Sequence, residues 1–137
     1  MTDASSPPGL LDTDSFGMAL YLDASKPELR KTARTRLRLL AATADILNAK
    51  DDLAALRVVD ITGRAGIAHG TFYRYYDGVP AIVEEAVAVF AEFQRQRLSA
   101  VRDGAAGSRA RVRATTLAYS RIFRANTGMM RCLMGLG

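Results

Sequence analysis

The side chains of this chain that are best suited to chemistry lie close together, in the stretch from His69 to Tyr76. This stretch combines an imidazole, hydroxyls, a guanidinium and aromatic rings in His69-Gly70-Thr71-Phe72-Tyr73-Arg74-Tyr75-Tyr76. On the exposed face of a helix, such groups can contact base edges and phosphates. Arg74 can bond guanine twice or contact the backbone, and Thr71 can bond a phosphate or touch a thymine methyl. The ordinary alternatives are a surface histidine at His69 and a Thr71 hydroxyl bonded to the carbonyl of Ile67.

Residues suited to catalysis or metal binding are too few to form a familiar site. His69 is the only histidine and Cys132 is the only cysteine. Their number excludes most histidine-based triads, multi-histidine metal sites and any internal disulfide. The sequence also lacks a Gly-rich phosphate loop and a nucleophile paired with a base. We therefore predict that the protein is not an enzyme and uses no cofactor or metal.

Two short helices joined by a tight turn are predicted to position these side chains. The segment from Val58 to Tyr76 reads VVDITGRAGIAHGTFYRYY, with the turn at Ala65-Gly66-Ile67. Gly66 lies where a helix ends in a left-handed residue, which glycine adopts at little cost. This is the helix-turn-helix pattern, whose second helix enters the major groove of DNA. The side chains expected to point inward are Ile61, Ala65, Phe72 and either Tyr75 or Tyr76.

The same stretch resembles the TetR family of bacterial transcriptional repressors. The matching residues are Asp60-Ile61, Ala65-Gly66-Ile67 and Gly70-Thr71-Phe72-Tyr73-Arg74-Tyr75-Tyr76. The resemblance extends from about Thr35 to Ile82 and is looser beyond. It implies a DNA-binding domain followed by a helical effector-binding and dimerisation domain. It also implies a homodimer on a palindromic operator in double-stranded DNA, released by an apolar small-molecule effector.

The resemblance further implies individual DNA contacts. Tyr73 matches a tyrosine whose hydroxyl is aimed at a phosphate, and His69 occupies a variable position that reads base sequence. Arg36 matches the arginine of a Thr-Arg pair in the preceding helix, where it would contact phosphate. Ala68 and Val79 depart from the pattern, because they replace a capping Ser and a phosphate-binding Lys, and they predict weaker binding. The predicted DNA-binding residues are Arg36, His69, Gly70, Thr71, Tyr73, Arg74 and Tyr75.

Composition and charge are those of a basic globular chain. Its 137 residues are 49% hydrophobic and 24% charged, with a net charge of +5. The first 25 residues hold four Asp and no Lys or Arg, so residues 26–137 carry a net charge of +9. A basic domain suits a polyanionic partner, although charge alone does not define a fold. One cysteine, no secretory signal and no apolar stretch long enough for a bilayer predict a cytoplasmic protein without membrane contact.

Helical spacing of the apolar residues, with no strand pattern, predicts an all-α fold in three parts. Residues 1–24 are predicted to be an acidic, mostly disordered arm with at most a short docking turn around Met18–Leu22. Residues 25–78 are predicted to be the three-helix DNA-binding domain. Ser25 and Glu28 have the capping-box spacing, which predicts a helix from Ser25 to about Asn48. Residues 79–137 are predicted to be a partial effector-binding and dimerisation region with helices over about 80–102, 108–126 and 129–136. This region is short for the family, which predicts a truncated form or one completed by self-association.

The distal helices offer candidates for an effector site and for a second kind of function. The predicted effector-binding residues are Tyr119, Phe123, Met130 and Met134, although such helical spacing is more often that of an ordinary core. Six arginines and no acid follow Asp103, which indicates a solvated helix face or an acidic partner. The alternative function is a protein-interaction module that keeps the helix-turn-helix fold without specific DNA binding. The acidic arm and Val79 favour that alternative.

Overall fold

The computed structural model describes residues 14–50 and 55–135, and over these residues the chain is entirely helical, without a strand. The predicted all-α class is therefore confirmed for this part of the chain. None of its helices is both long enough and apolar enough to cross a membrane. The seven helices are α1 (Phe16–Ala24), α2 (Lys31–Lys50), α3 (Val58–Ala65), α4 (His69–Phe72), α5 (Val79–Asp103), α6 (Ser108–Ala125) and α7 (Thr127–Leu133).

Helix α2 is the centre of the core, because α1, α3, α5 and α7 all pack against it. Its second half is buried on most sides, which is the pattern of a helix enclosed by other helices. Even the polar Thr43 is fully buried there, and its hydroxyl donates to the carbonyl of Leu39 at 2.9 Å. The buried apolar residues of α2 are Leu39, Leu40, Ala41, Ala42, Ala44, Ile46 and Leu47.

Helix α1 is longer than the short docking turn that was predicted around Met18–Leu22 within a mostly disordered arm over residues 1–24. Residues 1–13 lie outside the described residues, but residues 16–24 are helical and docked. Phe16, Leu20 and Ala24 are buried, and the Phe16 ring packs edge-on against Phe90 at 5.2 Å between centroids. Burying a Phe or Leu side chain contributes about 1.5–3 kcal/mol, so these contacts favour the docked position of this nine-residue helix.

The turn between α1 and α2 also differs from the prediction, in which Ser25 starts a helix. Ser25 instead follows the end of α1, and its hydroxyl donates to the carbonyl of Leu22 at 2.7 Å. Helix α2 begins only at Lys31. Arg34 fixes the turn, because its guanidinium donates to the carbonyls of Ala24 at 2.8 Å and Lys26 at 2.7 Å.

Asn126, which is fully buried, joins the beginning of α1 to α2, α6 and α7. Its Oδ1 accepts hydrogen bonds from the Phe16 amide at 2.8 Å and from Asn48 Nδ2 at 3.4 Å. Its Nδ2 donates to the carbonyl of Asp14 at 2.6 Å and to that of Ile122 at 2.9 Å. Four groups of the protein are thus satisfied by a single side chain.

Helix α7 crosses α2 at Gly128, where the two backbones are in direct contact. A Cβ atom on Gly128 would collide with the carbonyl of Leu47 and lie 2.8 Å from the amide nitrogen of Asn48. Asn48 strengthens the crossing, since its Oδ1 accepts from the Met129 amide at 2.9 Å. Because α7 lies so close to α2 at Gly128, the next residues Met129 and Met130 reach the core, and both are buried.

Candidate nucleic-acid interface

The turn between α3 and α4 has the geometry that was predicted at Gly66. Gly66 ends α3 in the left-handed region, with φ 69° and ψ 37°. The amide of Ile67 donates to the carbonyl of Thr62 at 3.0 Å, which closes the helix end in a Schellman-type arrangement. Arg38 of α2 adds a cap, because its Nη2 donates to the carbonyl of Ala65 at 2.7 Å.

Helix α4 is held from beneath by two aromatic residues. Phe72 is fully buried and Tyr76 is 6% exposed, with their rings 5.7 Å apart. The carbonyl of Phe72 accepts from the amides of Tyr75 at 2.9 Å and Tyr76 at 3.0 Å, which extends the helical turn beyond α4. Ile61 and Ala65 are buried as predicted, and Tyr76 rather than Tyr75 takes the core position.

The outer face of α4 and the turn after it carry most of the predicted DNA-binding residues. His69, Gly70, Tyr73 and Arg74 are exposed, whereas Thr71 and Tyr75 are half-buried. Tyr73 is 52% exposed, and its ring lies 5.7 Å from that of His69. Among residues 14–50 and 55–135, no side chain bonds or pairs with the Arg74 guanidinium. The structure therefore brings these six residues together on one short segment.

Gly70 is exposed on this face. A Cβ atom there would have no heavy atom within 4 Å among the described residues. Packing among the described residues therefore does not require a glycine at this position, and the backbone here is accessible.

Arg36 is placed differently from the other predicted DNA-binding residues. Its Nε is 3.2 Å from Oε2 of Glu85, so the guanidinium links α2 to α5. The guanidinium carbon also lies 5.9 Å from the centroid of the Tyr76 ring. The Arg36 side chain is 53% exposed, and a phosphate would have to share the guanidinium with Glu85.

Two further arginines beside the turn are also paired with acids. Arg64 Nη2 lies 3.2 Å from Oδ2 of Asp45, and Arg57 Nε lies 3.3 Å from Oδ2 of Asp60. The first of these pairs ties the end of α3 to α2. These partners were not foreseen from sequence, because Arg36 and Arg64 meet acids that are distant along the chain.

The Tyr76 hydroxyl is buried, and within the described residues no group forms a hydrogen bond of good geometry with it. Burial raises the pKa of this phenol, and nearby Glu85 raises the pKa further whereas Arg36 opposes the shift. The hydroxyl thus stays neutral in the folded protein well above the pH at which an exposed tyrosine ionises.

We expect Tyr76→Phe to increase the free energy of unfolding by about 1 kcal/mol at neutral pH, since the buried hydroxyl leaves water without a partner. Above the unfolded-state pKa of 10.0, the unfolded wild-type chain loses a proton that the folded chain keeps. The free energy of unfolding of the wild-type chain should therefore decrease as the pH rises above this pKa. That of the variant should decrease less. Urea denaturation at several pH values measures both effects. Tyr73→Phe, at an exposed site, is the control, and a loss of 1 kcal/mol or more in Tyr76→Phe would contradict the expectation.

The four predicted effector-binding residues lie in different surroundings, and their role as a shared site stays a prediction. Met130 is buried in the core, where its sulfur lies 3.5 Å from Gln94 Nε2, and Phe123 is half-buried. Tyr119 and Met134 are 41% and 49% exposed. Helical spacing did not reveal that these residues belong to different faces. None of them lines the cavity of about 550 Å³ between α5 and α6.

Within the described part of the chain, no three metal-ligating side chains lie together. The chain matches no protein-family model, and neither a curated protein nor a solved structure matches it.

Proposed function

We propose that this chain is a sequence-specific DNA-binding regulator of transcription, a repressor relieved by a small-molecule effector in the cytoplasm. In this proposal α2, α3 and α4 form the three-helix helix-turn-helix domain, and the helices from α5 onward form the effector and dimerisation region. The observation that carries the proposal is the outer face of α4, where His69, Tyr73 and Arg74 project from a segment anchored by Phe72 and Tyr76.

In the proposed complex, α4 enters the major groove with its exposed face toward the bases. His69, Thr71 and Arg74 read base edges, and Arg74 suits guanine because its planar fork can form two parallel hydrogen bonds. Tyr73 and Tyr75 contact phosphates at the groove edge and fix the register. Gly70, which has open space around it, lets the backbone approach the DNA closely.

Besides any contact with phosphate, Arg36 helps to hold the exposed face of α4 in position. Its guanidinium lies between Glu85 and the ring of Tyr76, which is itself packed against Phe72 of α4. The side chain therefore helps to set the position of α4 relative to α2 and α5. One such domain reads one half-site, so we expect a homodimer on a palindrome with half-sites at least one helical turn apart.

Capture of fragmented genomic DNA by the purified chain tests the proposal. At about 150 mM salt with excess competitor DNA, we expect sequencing of the captured fragments to return one palindromic motif. Arg74→Ala should weaken binding to that motif by about 1–3 kcal/mol and relax the preference at one base pair. His69→Ala should change the preferred sequence at a neighbouring position.

Arg113→Ala is the matched control, because it removes the same charge from an exposed site on α6, away from α4. This variant should keep both the motif and the affinity for it to within about twofold. Equal weakening in Arg74→Ala and Arg113→Ala would indicate that general positive charge, and not base reading, produces the binding.

The second candidate is a protein-interaction module with the same fold, and one observation favours it. Arg36, Arg57 and Arg64 are all paired with acids, which reduces the positive charge available to phosphates near α4. In this case the captured DNA would contain no motif. Binding would also disappear as salt rises from about 50 to 200 mM, as expected for contacts to phosphates alone.

A further inference from the structure

A second site lies away from α4, in the cavity of about 550 Å³ between α5 and α6. This volume is within the usual range of small-molecule pockets. One part of its wall is apolar and is formed by Phe93, Ala100, Val101, Ala118 and Ile122. The other part is charged, and it is formed by Arg97 of α5, Arg121 of α6 and Asp14, which precedes α1.

The two arginines converge on the single carboxylate of Asp14. Arg97 Nη1 lies 4.0 Å from Oδ1, and Arg121 Nε lies 3.6 Å from Oδ2. Charge-assisted hydrogen bonds of this kind are normally about 2.7–2.9 Å long. Asp14 is therefore placed between two guanidinium groups without forming a close bond to either.

Arg97 is the better fixed of the two arginines. The Arg97 side chain is only 23% exposed, and its guanidinium carbon lies 4.7 Å from the centroid of the Phe93 ring. This cation–π contact is energetically favourable, and it orients the guanidinium toward the cavity. Arg121 projects from the facing helix, with 48% of its side chain exposed.

The charges at this end of the cavity do not balance. Among the described residues, two cations and one anion line it, and the acids Glu92 and Asp103 are paired with Arg95 and Arg102. The described lining therefore carries a net positive charge of one, at a partly enclosed site beside an apolar wall. A planar carboxylate fits two guanidinium groups better than any neutral group does.

We propose that this cavity binds a small monocarboxylate with an apolar tail. The ligand carboxylate lies between Arg97 and Arg121 in the place of the Asp14 carboxylate, and the tail packs against Phe93, Val101 and Ile122. Asp14 is thus an internal competitor that occupies the two arginines when the ligand is absent.

A series of contacts also connects Asp14 to the end of α3, which directly precedes α4 in the chain. The Asp14 carbonyl is bonded to Asn126, and α1 begins two residues later. Gly17 of α1 lies against the carboxylate of Asp45, which pairs with Arg64 at the end of α3. A role in regulation rests on the proposed function, whereas the ligand chemistry does not.

Calorimetric titration of the purified chain, without DNA, tests the ligand chemistry. The probes are octanoate, its neutral analogue octanamide, and acetate, which lacks the tail. We expect octanoate to bind about tenfold more tightly than either of the others, because it alone satisfies both parts of the cavity. Equal affinities for octanoate and octanamide would overturn the proposal.

Two variants distinguish this site from general binding to apolar surface. Arg121→Gln should lower the affinity for octanoate by about tenfold. Asp14→Asn removes the internal competitor and should raise that affinity several-fold. Arg124→Gln changes an exposed arginine of the same helix outside the cavity and should leave the affinity unchanged. Thermal unfolding of each variant confirms that it is folded. An affinity that is unchanged in Arg121→Gln and Asp14→Asn would overturn the site, whatever the outcome of the DNA capture.

Discussion

Gly128→Ala is expected to lower the free energy of unfolding by about 3 kcal/mol, the upper end of the range for overpacked sites. The new methyl group would collide with the backbone of α2 at Leu47, and no side-chain rotation can relieve that collision. Helix α7 would have to move away from α2. Met129 and Met130 would then leave the core, and the hydrogen bond from the Met129 amide to Asn48 would break.

Urea denaturation followed by far-UV circular dichroism measures this effect, with Gly63→Ala as the matched control. Gly63 lies inside α3 and is exposed, and a Cβ atom there would have no heavy atom within 4 Å among the described residues. Because alanine is the better helix former, Gly63→Ala should raise stability by about 1 kcal/mol. Replacing glycine by alanine should therefore lower the free energy of unfolding at Gly128 and raise it at Gly63. A neutral Gly128→Ala would mean that α7 does not cross α2 at this contact.

Asn126→Leu is expected to be equally damaging, although leucine has nearly the same shape. The substitution would leave the Phe16 amide and the carbonyl of Asp14 without their partner in a buried environment. Each unsatisfied buried group costs about 1–3 kcal/mol, so we expect a total loss of about 3 kcal/mol or more. Helix α1 should then separate from the core more often than the other helices.

Hydrogen exchange and limited proteolysis measure that separation residue by residue. In Asn126→Leu, the amides of α1 should exchange faster than those of α3, and cleavage should begin near α1. Thr116→Val on α6 makes a similar change from polar to apolar at an exposed site, where water can replace the lost bonds. This control should change stability by about 0.5 kcal/mol or less. Uniformly faster exchange in every helix of Asn126→Leu would contradict a specific attachment of α1.

The features that could be predicted from sequence are those with local causes. Gly66 ends α3 because a left-handed residue is needed at that point, and its neighbours supply the hydrogen bonds of the turn. The inward positions of Ile61, Ala65 and Phe72 follow from helical spacing within one short segment. The exposure of His69 and Arg74 follows from the same spacing, since they lie on the opposite face.

The features that were missed depend on distant partners. Phe16 is buried because Phe90 and Phe93 of α5 cover it, and nothing beside it in the sequence indicates this. Ser25 has the right spacing to begin a helix, but the docking of α1 makes it the end of the previous one. Asn126 resembles an ordinary helix end until its bonds to Asp14, Phe16 and Asn48 are known.

The different surroundings of the predicted effector residues have a related cause. Tyr119 and Phe123 are one helical turn apart on α6, yet one is exposed and the other half-buried. Helical spacing determines which residues share one face of α6. It does not determine how much of that face the neighbouring helix covers. Arg121 was counted among the arginines after Asp103, and Arg97 was not singled out, because their convergence on Asp14 requires the folded chain.

The enclosure of α2 has a consequence for protein engineering. A fragment of residues 25–78 alone would uncover the sides of α2 that α1, α5 and α7 protect. A fragment designed to fold by itself therefore has to include α1, α5 and the Asn126–Met130 segment as well.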